Sequence, residues 1–252
     1  MSDPHINIYP RYYNWYISAK GMFEPQFMFF LLAIFYYPCI LYGRKFMKDK
    51  PPFILKKPLF IWNTLLSLFS FYGFMVLFPY IYEKYNENTL NTMICKHEIF
   101  YTSNVAYVIA IFNATKCLEW GDTVFLILRK KPIIFLHWYH HLVTYLFCWH
   151  GTMYSYKSDA TGVYFCAMNL FVHFIMYGYY AFSSINIRLP YSWIITVLQT
   201  IQMFIGVFLL LYTPFCKDSW TNNWFGNIFG SIMYGSYTYL FSKILINKLS
   251  HK

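Results

Sequence analysis

Residues 129–151 read RKKPIIFLHWYHHLVTYLFCWHG. Three cations and a proline lead into a long apolar run in which histidines are the strongest bases. At about 1.5 Å per residue, roughly 20 apolar residues in a helix span the ~30 Å hydrocarbon of a bilayer. A basic link followed by such a run predicts a transmembrane helix entering from a cytosolic loop. His137, His140 and His141 fall at i, i+3 and i+4, so one face of that helix carries three imidazoles. A single histidine on an apolar face is usually a satisfied core residue. Three at one helix start are not explained by packing. His150, near the far end of the run, is assigned to the membrane interface.

The rest of the chain has the same character. Of 252 residues, 58% are hydrophobic and 12% charged, with 27 Phe and 26 Tyr. A soluble domain carries about 25% charge, and one of this size would struggle to hide so much apolar surface. Seven apolar segments stand out, at about 27–43, 58–82, 99–128, 133–151, 160–183, 191–212 and 225–246. The links between them test this count. The stretch 44–57, the triplet Arg129, Lys130 and Lys131, Arg188, and the terminal Lys243, Lys248 and Lys252 place 13 basic residues on one side. Arg11, Lys20, Lys84, Lys96, Lys157 and Lys217 place 6 on the other, which also holds seven of the acids. The positive-inside rule then gives seven spans, a lumenal or exterior N-terminus and a cytosolic C-terminus. An even number of spans would break the alternation. The net charge of +10 thus reads as topology, not as a nucleic-acid surface. Residues 1–20 lack the basic-then-apolar pattern of a signal peptide. One membrane domain is expected over 1–252: a lumenal segment 1–26, a seven-helix region 27–246 and a cytosolic tail 247–252.

Six cysteines include no C-x-x-C pair, which argues against a structural zinc site; no metal is expected. Cys95 and Cys216 fall in two lumenal links, where an oxidising compartment permits a bridge; two free thiols are the other reading.

Ionisable and amide groups inside a bilayer are costly and mark function. The third segment holds Lys116, Glu119 and Thr123 at i, i+3 and i+7, one helix face, with Asp122 flanking it. The fifth holds Asn169, His173, Tyr177 and Tyr180 on one face, and the sixth holds Thr196, Gln199 and Gln202. Counted from the cytosolic links, His140 lies ~12 Å deep, Gln199 ~14 Å, His173 ~15 Å and Lys116 ~18 Å. Four helices bring polar residues to one layer, which suggests a cavity open to the cytosol. Imidazole is a base and nucleophile near neutral pH, and its attack on a thioester yields an acyl-imidazole. No serine or cysteine has a comparable setting: Cys117 is turned from the Lys116 face, and Cys148 only lies near the motifs.

The motifs Lys116-x-x-Glu119-x-x-Asp122-Thr123, Leu128-Arg-Lys-Lys-Pro132, His137-x-x-His140-His141, Asn169-x-x-x-His173-x-x-Met176-Tyr177-x-Tyr179-Tyr180 and Thr196-x-x-Gln199-x-x-Gln202 resemble, in order and spacing, the ELO family of fatty-acid elongases. The resemblance covers about residues 25–246. It implies an all-α membrane protein of the endoplasmic reticulum with seven transmembrane helices, helices two to seven forming a six-helix barrel around an acyl tunnel. It implies an acyltransferase, a very-long-chain 3-oxoacyl-CoA synthase, that condenses acyl-CoA with malonyl-CoA to 3-ketoacyl-CoA, CO2 and CoA without a bound cofactor. His140 would be the acyl-carrying nucleophile and His173 its companion, with His137, His141 and Asp122 orienting the cluster. Lys116, Glu119, Asn169, Tyr177, Tyr180, Thr196, Gln199 and Gln202 would line the tunnel, and Arg129, Lys130 and Lys131 would meet CoA phosphates. Trp138 leans toward the branch acting on saturated and monounsaturated chains. Implied partners are membrane lipid, the ketoreductase, dehydratase and enoyl reductase of the cycle, and a second copy as homodimer. The tail Asn247-Lys-Leu-Ser-His-Lys252 lacks a clean dilysine retrieval signal.

Two other protein classes share some of these features. A membrane di-iron desaturase also uses H-x-x-H-H but needs about eight His ligands in three clusters. Here His5, His97, His150 and His251 are scattered. A seven-helix receptor or transporter fits the span count but leaves three histidines at one helix start unexplained.

Overall fold

The computed structural model describes residues 25–95, 103–154, 161–187, 189–190, 192–216 and 219–250. Outside them lie most of the expected lumenal segment 1–26, the starts of the third, fifth and sixth spans, the last two residues of the tail, Arg188, and Lys96, Lys157 and Lys217. The described elements are α1 (Pro25–Phe46), α2 (Lys56–Glu87), α3 (Leu90–Cys95), α4 (Ser103–Leu118), α5 (Gly121–Leu128), α6 (Phe135–Tyr154), α7 (Thr161–Ser184), α8 (Ser192–Tyr212), a 3-10 turn (Thr213–Phe215) and α9 (Ser219–Ser250). Among the described residues every regular element is a helix. Among the described residues three helical stretches, Lys56–Glu87, Thr161–Ser184 and Ser192–Phe215, are long and apolar enough to cross a bilayer.

α2 shows how such a helix is built. Ile61, Leu65, Leu68, Tyr72, Met75 and Tyr82 are exposed along one face. The opposite face buries Leu59, Asn63, Leu66, Ser67, Ser70, Gly73 and Leu77. The outward residues are large and apolar, the inward ones smaller and partly polar, the reverse of a soluble amphipathic helix. Small residues let helices approach closely where lipid provides no hydrophobic drive between them. Here they seat α2 along α7. A Cβ on Gly73 would come within 2.9 Å of Leu170, and Ser67 Oγ donates to the Phe174 carbonyl at 2.9 Å.

One apolar cluster joins α2, α4 and α7 through Leu77, Val108, Phe112, Cys166 and Leu170. A second joins α6 to α9 through Leu136, Phe165, Met203, Leu210, Tyr234 and Phe241. α1 packs on α5 and α6. At one end of the bundle Lys130, at φ 53°, donates to the carbonyls of Lys48 and Lys50 at 2.8 and 2.9 Å. This fastens the α1–α2 link to the α5–α6 link. Cys95 and Cys216 are joined by a disulfide with Cα atoms 5.3 Å apart, tying the end of α3 to the end of α8.

The expected third span 99–128 is not one helix. It breaks at Glu119 and Trp120, where the amides of Trp120, Asp122 and Thr123 bond carbonyls three residues back, a tighter turn than α-helix. The short α3 and the 3-10 turn were not expected. His150, assigned to the interface, is buried with its ring 5.2 Å from that of Phe225, because the far end of α6 is covered by α9.

Candidate active site

The break between α4 and α5 arranges the site by sending adjacent side chains in different directions. Lys116, Glu119, Asp122 and Thr123 therefore do not share one face. Lys116 Nζ donates to Glu119 Oε1 at 2.7 Å and to Asn169 Oδ1 of α7 at 2.9 Å, and it sits 4.1 Å from the centre of the Phe112 ring. Glu119 Oε1 in turn lies 3.6 Å from His173 Nδ1. All four partners are buried, so the charges are matched where water is scarce.

Asp122 points to α2 and α7. Its Oδ1 accepts from Trp62 Nε1 at 2.7 Å and its Oδ2 from the Tyr177 hydroxyl at 2.8 Å. Gly121 makes the first contact possible: a Cβ there would lie 2.6 Å from the Trp62 ring. Thr123 turns toward α1 and α6, with Oγ1 at 2.8 Å from the Tyr36 hydroxyl and 2.9 Å from His137 Nε2.

On α6 the His137 and His141 rings are 4.4 Å apart, and His140 and His141 5.7 Å. His140 stands 5.0 Å from the Tyr237 ring of α9. The Tyr237 hydroxyl donates to the His140 carbonyl at 3.1 Å and meets Thr144 Oγ1 at 3.0 Å, which fixes α6 against α9. Neither ring nitrogen of His140 has a hydrogen-bond partner among the described residues, and His140 lines the cavity.

That cavity has a volume of about 600 Å³. Glu119, Asp122, His137, His140, His141, Asn169, His173, Tyr177, Tyr180, Thr196, Gln199 and Gln202 all reach its wall. Gln199 Nε2 donates to Met176 Sδ at 3.3 Å. The wall also includes Arg129, Ser184, Ser192 and Lys248, at the helix ends joined by the basic links. Lys248 Nζ donates to Thr196 Oγ1 at 2.8 Å.

Three residues expected at the site are not on the cavity wall. Lys116 does not line the cavity, because Glu119 and Asn169 already surround its ammonium. Lys130 is held on main-chain carbonyls, and Lys131 is also off the wall. Among the described residues no group of three or more His, Cys, Asp or Glu is arranged to hold a metal ion. Sequence reasoning missed Trp62, Asn63, Tyr36, Tyr237 and Lys248. Asn63 in an apolar run was a usable signal; Tyr36 and Tyr237 were two among 26 tyrosines.

Fold and site together define a helical membrane protein with an internal cavity walled in part by histidines. The chain belongs to the GNS1/SUR4 family, the ELO family, whose sequence profile matches residues 22–252. It is 35% identical over 252 residues to a very long chain fatty acid elongase 4 of Trypanosoma cruzi, covering 92% of this chain and 85% of the relative. It is 37% identical over 219 residues to very long chain fatty acid elongase 6 of Homo sapiens, covering 84% and 80%. It is 33% identical over 234 residues to long chain fatty acid elongase 2 of Caenorhabditis elegans, covering 90% and 84%.

Proposed function

We propose that the protein is a fatty-acid elongase that condenses an acyl-CoA with malonyl-CoA, with His140 carrying the acyl group. The observation that carries this is the His140 imidazole, which lines the cavity together with His173 and has no hydrogen-bond partner at either nitrogen among the described residues. The relatives' names support the reading. In the first step a His140 nitrogen bonds the acyl carbonyl carbon and the C–S bond breaks. The CoA thiolate takes the imidazole proton and leaves as the thiol. In the second, the malonyl carboxylate departs as CO2 and its electron pair forms the new C–C bond to the acyl carbon. The C–N bond to His140 breaks, and the ring nitrogen takes a proton from His173, which regains one from water at the mouth. One proton is consumed overall. Glu119 Oε1, beside His173 Nδ1, orients that ring, and the Lys116 ammonium balances Glu119. The acyl-imidazole is itself an activated acyl donor.

Residues from α2, from the break after α4 (Glu119) and from α5 to α9 reach the cavity, which supports a seven-span chain whose last six spans form a barrel and whose first lies outside. With the basic links cytosolic, the mouth opens where CoA esters are found, and Arg129 and Lys248 meet the nucleotide phosphates. The setting is the endoplasmic reticulum membrane, beside the reductases and dehydratase of the cycle; the acceptors are saturated or monounsaturated. Membranes holding the chain, given labelled malonyl-CoA and acyl-CoAs graded in length, should yield 3-keto products two carbons longer. His140→Ala should insert normally and form no product. Full activity in that variant would remove His140 from the acyl-carrying role; no product from the wild type would reject the function.

A further inference from the structure

α1 supplies no cavity-lining residue, yet it reaches the histidine cluster. Tyr36, 5% exposed, meets Thr123, 2% exposed, whose Oγ1 also meets His137 Nε2. The Tyr36 ring is held 4.4 Å from that of Trp120. Distances alone do not tell which atom donates, and the histidine tautomer must be inferred from its partners. Counting protons decides it. Each hydroxyl has one proton to give. Among the described residues the Tyr36 hydroxyl has only Thr123 as a polar partner, and Thr123 Oγ1 has only Tyr36 and His137. If His137 donated an N–H to Thr123, either the Tyr36 or the Thr123 hydroxyl proton would be left buried without an acceptor, which is costly. Run inward, Tyr36 donates to Thr123, Thr123 donates to His137 Nε2, and both hydroxyl protons are used.

We propose that Tyr36 is a positioning residue that, through Thr123, holds His137 with Nε2 bare and its proton on Nδ1, so that α1 sets the state of the histidine cluster. The kinetic part of this proposal rests on the elongase reading; the tautomer does not. The test uses the full chain in bilayers with 15N-labelled histidine, the His137 signal being assigned by its loss in His137→Asn. Wild type should show an unprotonated Nε2. Tyr36→Phe should move proton population onto Nε2 and lower kcat on the order of ten-fold, the scale of one lost buried hydrogen bond, with KM unchanged. Thr123→Ser should keep the wild-type signal and rate, Thr123→Val should lose both, and adding Tyr36→Phe to Thr123→Val should change nothing more. A protonated Nε2 in wild type overturns the proposal, and so does a Tyr36→Phe variant that leaves tautomer and kcat unchanged. A wild type that makes no elongated product rejects the elongase reading while leaving the tautomer result standing.

Discussion

The Lys116 ammonium has a carboxylate at 2.7 Å, an amide oxygen at 2.9 Å and an aromatic face at 4.1 Å, with 3% of the residue exposed. Such a pair contributes little net stability, because desolvation offsets the attraction; removing one member leaves a buried charge unpaired, at a cost of about 3–5 kcal/mol. Lys116→Met should therefore lower the melting temperature in detergent sharply. Lys116→Met combined with Glu119→Gln should recover much of that loss, since neither residue then carries a charge. A double variant as unstable as the sum of the singles would mean that Lys116 and Glu119 are not coupled. This residue-scale balance was half legible in the sequence. The i, i+3 spacing brought Lys116 and Glu119 together, but the third partner, Asn169, lies 53 positions away, and its choice depends on how α4 and α7 pack.

At the scale of the element, the α4–α5 break decides what the motif can do. A continuous helix would aim Glu119 and Thr123 the same way; the turn sends Glu119 to His173, Asp122 to Trp62 and Tyr177, and Thr123 to His137. Gly121 is what the turn requires, since the Trp62 ring occupies the place of a Cβ. Gly121→Ala should push the indole away from Asp122, and Trp62→Phe should remove its N–H while keeping the ring. Leaving one buried acceptor unmet costs about 1–3 kcal/mol, so both variants should slow turnover about ten-fold, and combining them should add little. Single-turnover rates check this; additive losses would show that Gly121 acts otherwise than through Trp62. Hydrophobic length made the long apolar helices legible, and the i, i+3, i+4 pattern made the histidine face legible. The break was not, because a glycine in an apolar run is a weak signal and the feature that exploits it, Trp62, sits on a different helix. Tyr36 and Tyr237 were hidden for the same reason: their roles come from neighbours that only the fold supplies.

At the scale of the whole molecule the cavity has a floor. Past His140, away from Arg129 and Lys248, a chamber of about 40 Å³ shares His140, Asn169, Gln202 and Met203 with the main cavity. It holds only a few water-sized spheres at about 10–15 Å³ each. Its wall includes Phe147, Phe165 and Tyr234. Phe165 stacks on Tyr234 with centroids 4.9 Å apart, and Phe147 lies 6.1 and 6.3 Å from the two. These rings come from α6, α7 and α9, so the floor exists only once three helices have met. If His140 carries the acyl group as proposed, a tail leading from it into this chamber should stop at those rings, whose bulk would then set the longest chain accepted. Phe147→Ala removes one ring; because emptying a packed site costs about 3–5 kcal/mol, Phe147→Leu serves as the milder companion. Both should raise the upper limit of product length by at least one two-carbon step, Ala more than Leu, while the rate on short acceptors changes little. Gas chromatography of products from a graded acyl-CoA panel reads this directly. An unchanged limit in variants that remain active would place the tail elsewhere in the 600 Å³ cavity, along the helices toward the mouth.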